Sequence, residues 1–311
     1  MERWTRRIGI CVIGAGVLGS SFLQKIAGSG FREINVVDGD IVDKRNLHNQ
    51  SIYRKADADG KVNKAVAACY NIRERSGNTI LRSFPFYVGE RRINSVISGS
   101  DVIIDLTDNI ESRLVINRAV VRSGKKALFA SVNQKQGFVY VKNGNSACFQ
   151  CIYRNARVKD AARCVSVASE KADKVSEILK RELSNLVSKG GNGSLVQVSF
   201  SNGSMSNTPL KKDPDCEVCG KNQKGQILQY RFSQLCGNGF KFSLERNIDI
   251  DRLSRGFKGF KSRNFDGEII LSKGKKSIIA SRYGDFLLSG FSPASAKAMA
   301  SSLQKLFYRG G

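Results

Sequence analysis

The sequence predicts an α/β fold: a doubly wound, mostly parallel sheet with helices on both faces, followed by a small α+β domain. Three observations predict it. An apolar strand, Ile8 to Ile13, runs into Gly14-Ala15-Gly16-Val17-Leu18-Gly19 and then into a helical pattern with Leu18, Phe22, Leu23 and Ile26 on one face. Short apolar runs then alternate with helical periodicity as far as Lys142, which implies βαβ units and parallel pairing. From about Gly225 the pattern changes to short strands closed by one helix, so the expected domains are 1–224 and 225–311.

The first unit is Rossmann-like and points to a nucleotide. Glycines allow a tight turn, and the helix start offers free N–H groups and a partial positive charge to a phosphate. The second strand, Ile34 to Val37, ends in Asp38 and Asp40, where an acid can hold a ribose hydroxyl. Next, Asp43 to Gln50 is a polar loop beyond a strand's carboxyl end, where open α/β sheets bind ligands. The only histidine, His48, lies in it and reads as a solvent-facing residue. Asp57 to Asn63 leads into a helix over Lys64 to Arg75, with Ala65, Ala68, Cys69 and Ile72 on one face. A strand is expected at Leu81 to Val88 and a short helix at Ile93 to Ile97. The run Asp101 to Asp108 is a buried strand ending in an acid. A helix capped by Asp108 or Asn109 follows, to Val121. Lys126 to Val132 and Gly137 to Lys142 are strands, and Asn143 to Cys151 is a turn. Val165 to Lys189 carries an apolar helical stripe, and Leu195 to Phe200 is a strand. In the last domain, strands are expected at Ile227 to Leu235, Glu268 to Ser272, Ser277 to Arg282 and Phe286 to Gly290. A helical turn falls at Arg252 to Arg255, and Ser292-Pro293 opens a final helix, Ala294 to Tyr308.

Of the 311 residues, 51 are Lys or Arg and 27 are Asp or Glu, a formal charge of +24. Such a field attracts anions: ATP, an acidic protein or RNA. The cations are spread along the chain and no nucleic-acid-binding signature accompanies them, so nucleic acid is not an expected partner. No apolar run approaches the ~20 residues a membrane helix needs, and MERWTRR leads straight into a strand without a signal peptide. The expectation is a soluble, cytoplasmic protein. In that setting Cys148-Phe-Gln-Cys151 and Cys216-Glu-Val-Cys219 favour a metal over disulfides. Two such pairs supply a closed tetrahedral thiolate set, which suits structural Zn2+ stapling distant segments; reduced, unliganded thiols are the alternative.

Taken in order, these motifs resemble those of the HesA/MoeB/ThiF adenylyltransferases, relatives of ubiquitin-activating enzymes. Gly14 to Ser20 resembles the family's glycine loop. Val37-Asp38-Gly-Asp40 and Asn46-Leu-His-Asn49-Gln50 resemble its acidic and NLxRQ segments, Lys64-Ala65 its lysine motif, and Asp108-Asn109-Ile-Glu-Ser-Arg113-Leu-Val-Ile-Asn117 its DNxxxRxxIN motif. The two cysteine pairs resemble its zinc cage. The resemblance implies ATP–Mg2+ as cofactor and, as partner, a small ubiquitin-like sulfur carrier ending in Gly-Gly, whose terminal carboxylate attacks the α-phosphate. It also allows a homodimer. By the same resemblance Gly14, Gly16, Val17, Gly19, Asp38, Asp40, Asn46, Asn49, Gln50 and Asn109 line the nucleotide. Lys64 offsets phosphate charge and Asp108 holds Mg2+, a hard ion that takes carboxylate oxygen. Cys164 falls where some members form a thioester or persulfide. Its neighbours Arg157, Lys159 and Arg163 are suited to lowering a thiol pKa, and an unreactive thiol is the alternative. Asn49 stands where the family carries arginine, with Lys44, Arg45 and Arg54 nearby to replace it. A weakened carrier-binding homologue and an NAD-dependent Rossmann enzyme are the competing functions.

Overall fold

The computed structural model describes residues 5–155, 167–221, 233–235, 239–244, 246–265 and 268–308. It divides into two compact units, Met1–Ile227 and Leu228–Gly311. In chain order the first contains β1 (Gly9–Ile13), α1 (Val17–Ile26), β2 (Glu33–Val37), α2 (Lys55–Asp59), α3 (Lys64–Ile72), β3 (Ile80–Phe84), α4 (Glu90–Ser98), β4 (Val102–Asp105), α5 (Ile110–Ser123), β5 (Lys126–Val132), β6 (Gln136–Lys142), α6 (Phe149–Asn155), α7 (Ser169–Lys189), β7 (Ser194–Ser199) and β8 (Met205–Pro209).

These strands form one sheet in the order β3-β2-β1-β4-β5-β6-β7-β8. The first five are parallel and the last three join antiparallel. Residues of β1, β2 and β4 are buried at every position, as inner strands covered on both faces must be. Ile10, Val12, Ile34, Val36 and Ile104 pack with α1, α3 and α7 in one core. Alternate residues such as Cys11, Ile13 and Ile103 face the opposite way. The order of the parallel strands reverses at β1 and β4. The loops beyond their carboxyl ends therefore flank the crevice in which such sheets bind ligands.

The second unit contains β9 (Ser233–Leu235), β10 (Gly239–Ser243), α8 (Asp251–Gly256), β11 (Lys261–Phe265), β12 (Glu268–Lys273), β13 (Lys276–Ser281), β14 (Asp285–Ser289) and α9 (Pro293–Tyr308). Its sheet is antiparallel, in the order β11-β12-β13-β14-β10-β9. Ala296, Ala300, Leu303 and Phe307 lie on one face of α9 and pack with Phe240, Ile269, Ile278 and Phe286.

Several boundaries differ from expectation. β3 stops at Phe84 because Pro85 has no N–H for a ladder bond. The helix from Lys64 ends at Ile72 and tightens into a 3-10 turn, Arg73–Ser76. The segment carrying the first cysteine pair is not a turn throughout, since Cys151 lies in α6. α7 starts at Ser169. Three strands were not anticipated, β8, β10 and β11. β8 is a fully exposed edge without an apolar face to betray it.

Candidate active site

The glycine turn is shaped by close backbone approach. Gly14 has φ +98°, and a Cβ there would lie 2.8 Å from the Leu106 carbonyl. A Cβ on Gly19 would overlap the Gly14 carbonyl oxygen, so helix and turn touch there. Gly16 differs: a Cβ would meet nothing within 4 Å. Gly16 N-caps α1 without any side-chain bond. The amides of Gly16, Val17, Leu18 and Gly19 donate to no acceptor among the described residues. Open space over unpaired amides at a helix start suits an anionic phosphate.

Asp38, beyond β2, accepts from the Ala15 amide at 2.7 Å and from the Asp40 amide at 2.8 Å. Burial, then Asp40, pushes its carboxyl up to about 6, against the pull of Lys64 and both amide bonds. Asp40 is held on both oxygens, by the Tyr87 hydroxyl at 3.0 Å and the Lys64 ammonium at 3.4 Å. Lys64 is only 8% exposed. Burial by itself would lower its pKa, but Asp40, Asp38 and Asp108 together outweigh that and hold it above the usual lysine value. Lys64 is placed by backbone bonding. Its amide donates to the Asp40 carbonyl at 2.8 Å. Asn63 caps α3 through Oδ1 while its amide nitrogen donates to the Asp38 and Asp40 carbonyls, both at 3.0 Å. Asp108 lies beyond β4 and is exposed. Asn109, and not Asp108, caps α5, accepting from the Ser112 amide at 2.8 Å.

Thus Gly14, Gly16, Val17, Gly19, Asp38, Asp40, Lys64 and Asp108 gather at the carboxyl ends of β1, β2 and β4. The polar loop is less committed to that point. The Asn46 side chain makes no bond among the described residues. The Asn49 amide nitrogen donates to the Val167 carbonyl at 3.1 Å, while Asn49 Oδ1 and Gln50 Oε1 are buried without a partner among the described residues. Lys44 is paired with Asp59 and Arg45 with Asp43, whereas Arg54 makes no ion pair among the described residues. Cys164, with Arg157, Lys159 and Arg163, lies outside the described residues. Four site residues escaped the sequence reading. Asn63 had a legible signal, an N-cap residue just before a helix. Tyr53, Tyr87 and Asp105 had none. Tyr53 donates to the Ala15 carbonyl, and Asp105 is fully buried, accepting from Thr107 through Oδ1.

The second half of α5 leads to the cysteines. Arg113 is buried; it donates to the carbonyls of Thr107 and of Ala130, the latter at 2.7 Å. Asn117 is fully buried. Its amide nitrogen donates to Cys148 Sγ at 3.5 Å and its oxygen accepts from the Phe149 amide at 2.8 Å. The four sulfurs of Cys148, Cys151, Cys216 and Cys219 all lie within 4.8 Å of one another. Neighbouring sulfurs are 3.4 to 3.9 Å apart, which excludes disulfides. A tetrahedral Zn–S4 centre with bonds of ~2.3 Å has S–S edges of roughly 3.8 Å, so the cage fits zinc. At Gly220 a Cβ would strike the Pro214 and Cys216 carbonyls, and the turn around the second pair is correspondingly tight.

Two outcomes are expected. Gly16→Ala should fold with an unfolding midpoint close to the parent but lose nucleotide binding, whereas Gly19→Ala should lower the midpoint measurably, because only the second Cβ meets protein; thermal melts with and without Mg-ATP check both. Incubation with a zinc chelator should release about one Zn2+ per chain and lower the melting temperature by several degrees, and Cys216→Ser should do the same. No metal by elemental analysis of the purified chain would refute it.

A model of the ThiF family matches residues 2–218. Among curated relatives, the SAMP-activating enzyme E1 of Haloferax volcanii is 26% identical over 234 residues, covering 73% of this chain and 86% of its own. The adenylyltransferase and sulfurtransferase MOCS3 of Arabidopsis thaliana is 33% identical over 46% of this chain and 31% of its own length. The sulfur carrier protein ThiS adenylyltransferase of Bacillus subtilis is 28% identical over 45% and 42%. The chain therefore spans less than half of these last two relatives. Among solved structures, E. coli MccB superposes with a TM-score of 0.61 at 14% identity, over 73% of this chain and 69% of that one; at that identity the likeness is one of fold. With the family model spanning more than half of its length, over the glycine turn, the acids, the lysine and most of the cysteine cage, the chain belongs to the ThiF family of adenylyltransferases.

Proposed function

We propose that the chain adenylates the C-terminal glycine of a ubiquitin-like sulfur carrier protein, in the cytoplasm, using Mg-ATP. The single observation that carries this reading is the convergence of unpaired helix-start amides, the Asp38 carboxylate, buried Lys64 and exposed Asp108 at one end of the parallel sheet. The names of the relatives supply the substrate class. Residues 1–224 are the catalytic part and 225–311 an appended domain.

In this reaction an oxygen of the carrier's terminal carboxylate bonds to the α-phosphorus, the bond from that phosphorus to the β-phosphate bridging oxygen breaks, and pyrophosphate leaves with the electron pair. No electron carrier is needed. The difficulty is electrostatic, because an anion must approach a polyanion. The amides of Gly16 to Gly19 take phosphate oxygens. Asp38 keeps acceptor capacity for ribose hydroxyls. Lys64 faces three acids, so the carboxylates outnumber the lysine they surround. The fit of a Mg2+ ion follows from that donor set: Asp108 is the exposed carboxylate that would hold it, and the ion would neutralise phosphate charge. Asn49, bonded to Val167, lends no charge, and this favours a second reading, a carrier-binding protein with weak turnover.

The test is pyrophosphate exchange into ATP with the full chain, Mg2+ and each encoded small protein that ends in Gly-Gly. Exchange dependent on one carrier is expected. Carrier binding without exchange would favour the second reading, and neither binding nor exchange would defeat both. A pH dependence follows from Asp38. Its folded pKa of about 6 lies above the ordinary 3.8, so the carboxyl gains its proton as pH falls through that value. A protonated carboxyl accepts ribose hydroxyls poorly, so Mg-ATP affinity should decline several-fold from pH 7.5 to 5.5. Asp38→Asn should bind weakly with a flat profile; equal slopes for both would remove Asp38 from the ribose site.

A further inference from the structure

The peptide groups around Ala15 are gripped at both ends. The Ala15 amide donates to Asp38 at 2.7 Å, and the Ala15 carbonyl accepts from the Tyr53 hydroxyl at 2.6 Å. Tyr53 is 6% exposed and belongs to the core formed with α1 and α3. With the ring buried there, its hydroxyl needs a protein partner. The alternative acceptor, the Lys64 carbonyl, is 3.4 Å away, so the single hydroxyl proton is committed mainly to Ala15.

We propose that Tyr53 is a positioning residue for phosphate binding, acting by aiming the Gly16 amide. The carbonyl of Ala15 and the N–H of Gly16 belong to one planar trans peptide and point in opposite directions. Turning the carbonyl inward onto buried Tyr53 therefore turns the Gly16 N–H outward. That N–H donates to no acceptor among the described residues, and a Cβ on the same residue would meet nothing within 4 Å. Without the hydroxyl the carbonyl loses its donor, and nothing else in the turn holds this peptide plane; Asp38 fixes only the preceding one. The effect falls on the phosphates and spares the ribose, since Asp38 is untouched. This inference rests on the proposed nucleotide site and adds to it a residue that makes no contact with the nucleotide itself.

The experiment compares the unaltered full chain with Tyr53→Phe, which keeps the buried ring, by calorimetric titration with Mg-ATP and with adenosine. Mg-ATP binding should weaken about tenfold, the scale of one lost buried hydrogen bond, while adenosine binding stays within twofold. Unchanged ATP affinity, or an equal loss for both ligands, would overturn the proposal. Failure of the unaltered chain to bind ATP would instead overturn the nucleotide site itself. Hydrogen exchange of the unaltered chain gives a second reading that needs no variant: Mg-ATP should protect the Gly16 amide and adenosine should not. Absence of that protection counts against Tyr53 even if Tyr53→Phe does not fold.

Discussion

The rest of the site depends on one buried cation. Lys64 is nine-tenths covered, and an ammonium cannot be taken from water to that degree without compensation. Asp40, Asp38 and Asp108 provide it, and the dependence runs both ways, because three carboxylates cannot share one rim without a cation among them. Asp38 shows the residual strain of the arrangement: even with Lys64 nearby and two amide donors, its carboxyl is held well above the ordinary range. The backbone enforces the cluster. Asn63 bonds to the carbonyls of both Asp38 and Asp40, and the Lys64 amide bonds to Asp40, so the backbone at the start of α3 is tied to both acids.

A second constraint links this rim to the cysteine cluster. Helix α5 begins beside Asp108 and carries, one side chain after another, the groups that tie it to its surroundings. Asn109 caps it, Arg113 holds the carbonyls of Thr107 and Ala130, and Asn117 meets Cys148 and Phe149. The DNxxxRxxIN motif is thus a chain of hydrogen bonds along one helix. Two of its members are buried, Arg113 and Asn117, at 3% and 0% exposure. A metal stapling the cysteines would brace the far end of the helix whose start presents Asp108.

Much of this was legible beforehand. Inner strands of a parallel sheet are apolar without interruption, and β1, β2, β4 and β5 stood out for that reason. The glycine turn was legible because backbone approach restricts residue type: Gly14 and Gly19 tolerate no Cβ. Edge strands were not. β8 is exposed along its whole length, so nothing in its composition distinguishes it from a loop. The roles of Asn49 and Arg113 were also hidden. Asn49 bonds to Val167, 118 residues away, and Arg113 is desolvated by packing that local spacing does not reveal.

By itself the sequence determined the glycine turn, the order of strands and helices around it, and which four cysteines cluster, because each of these rests on residue type at short spacing. The tertiary structure alone decided which acid meets Lys64, that Tyr87 and Lys64 share the oxygens of Asp40, that Tyr53 reaches the Ala15 carbonyl, and that Asn117 supports Cys148. Those are contacts between residues far apart along the chain, and their partners are selected by how the sheet brings loop ends together.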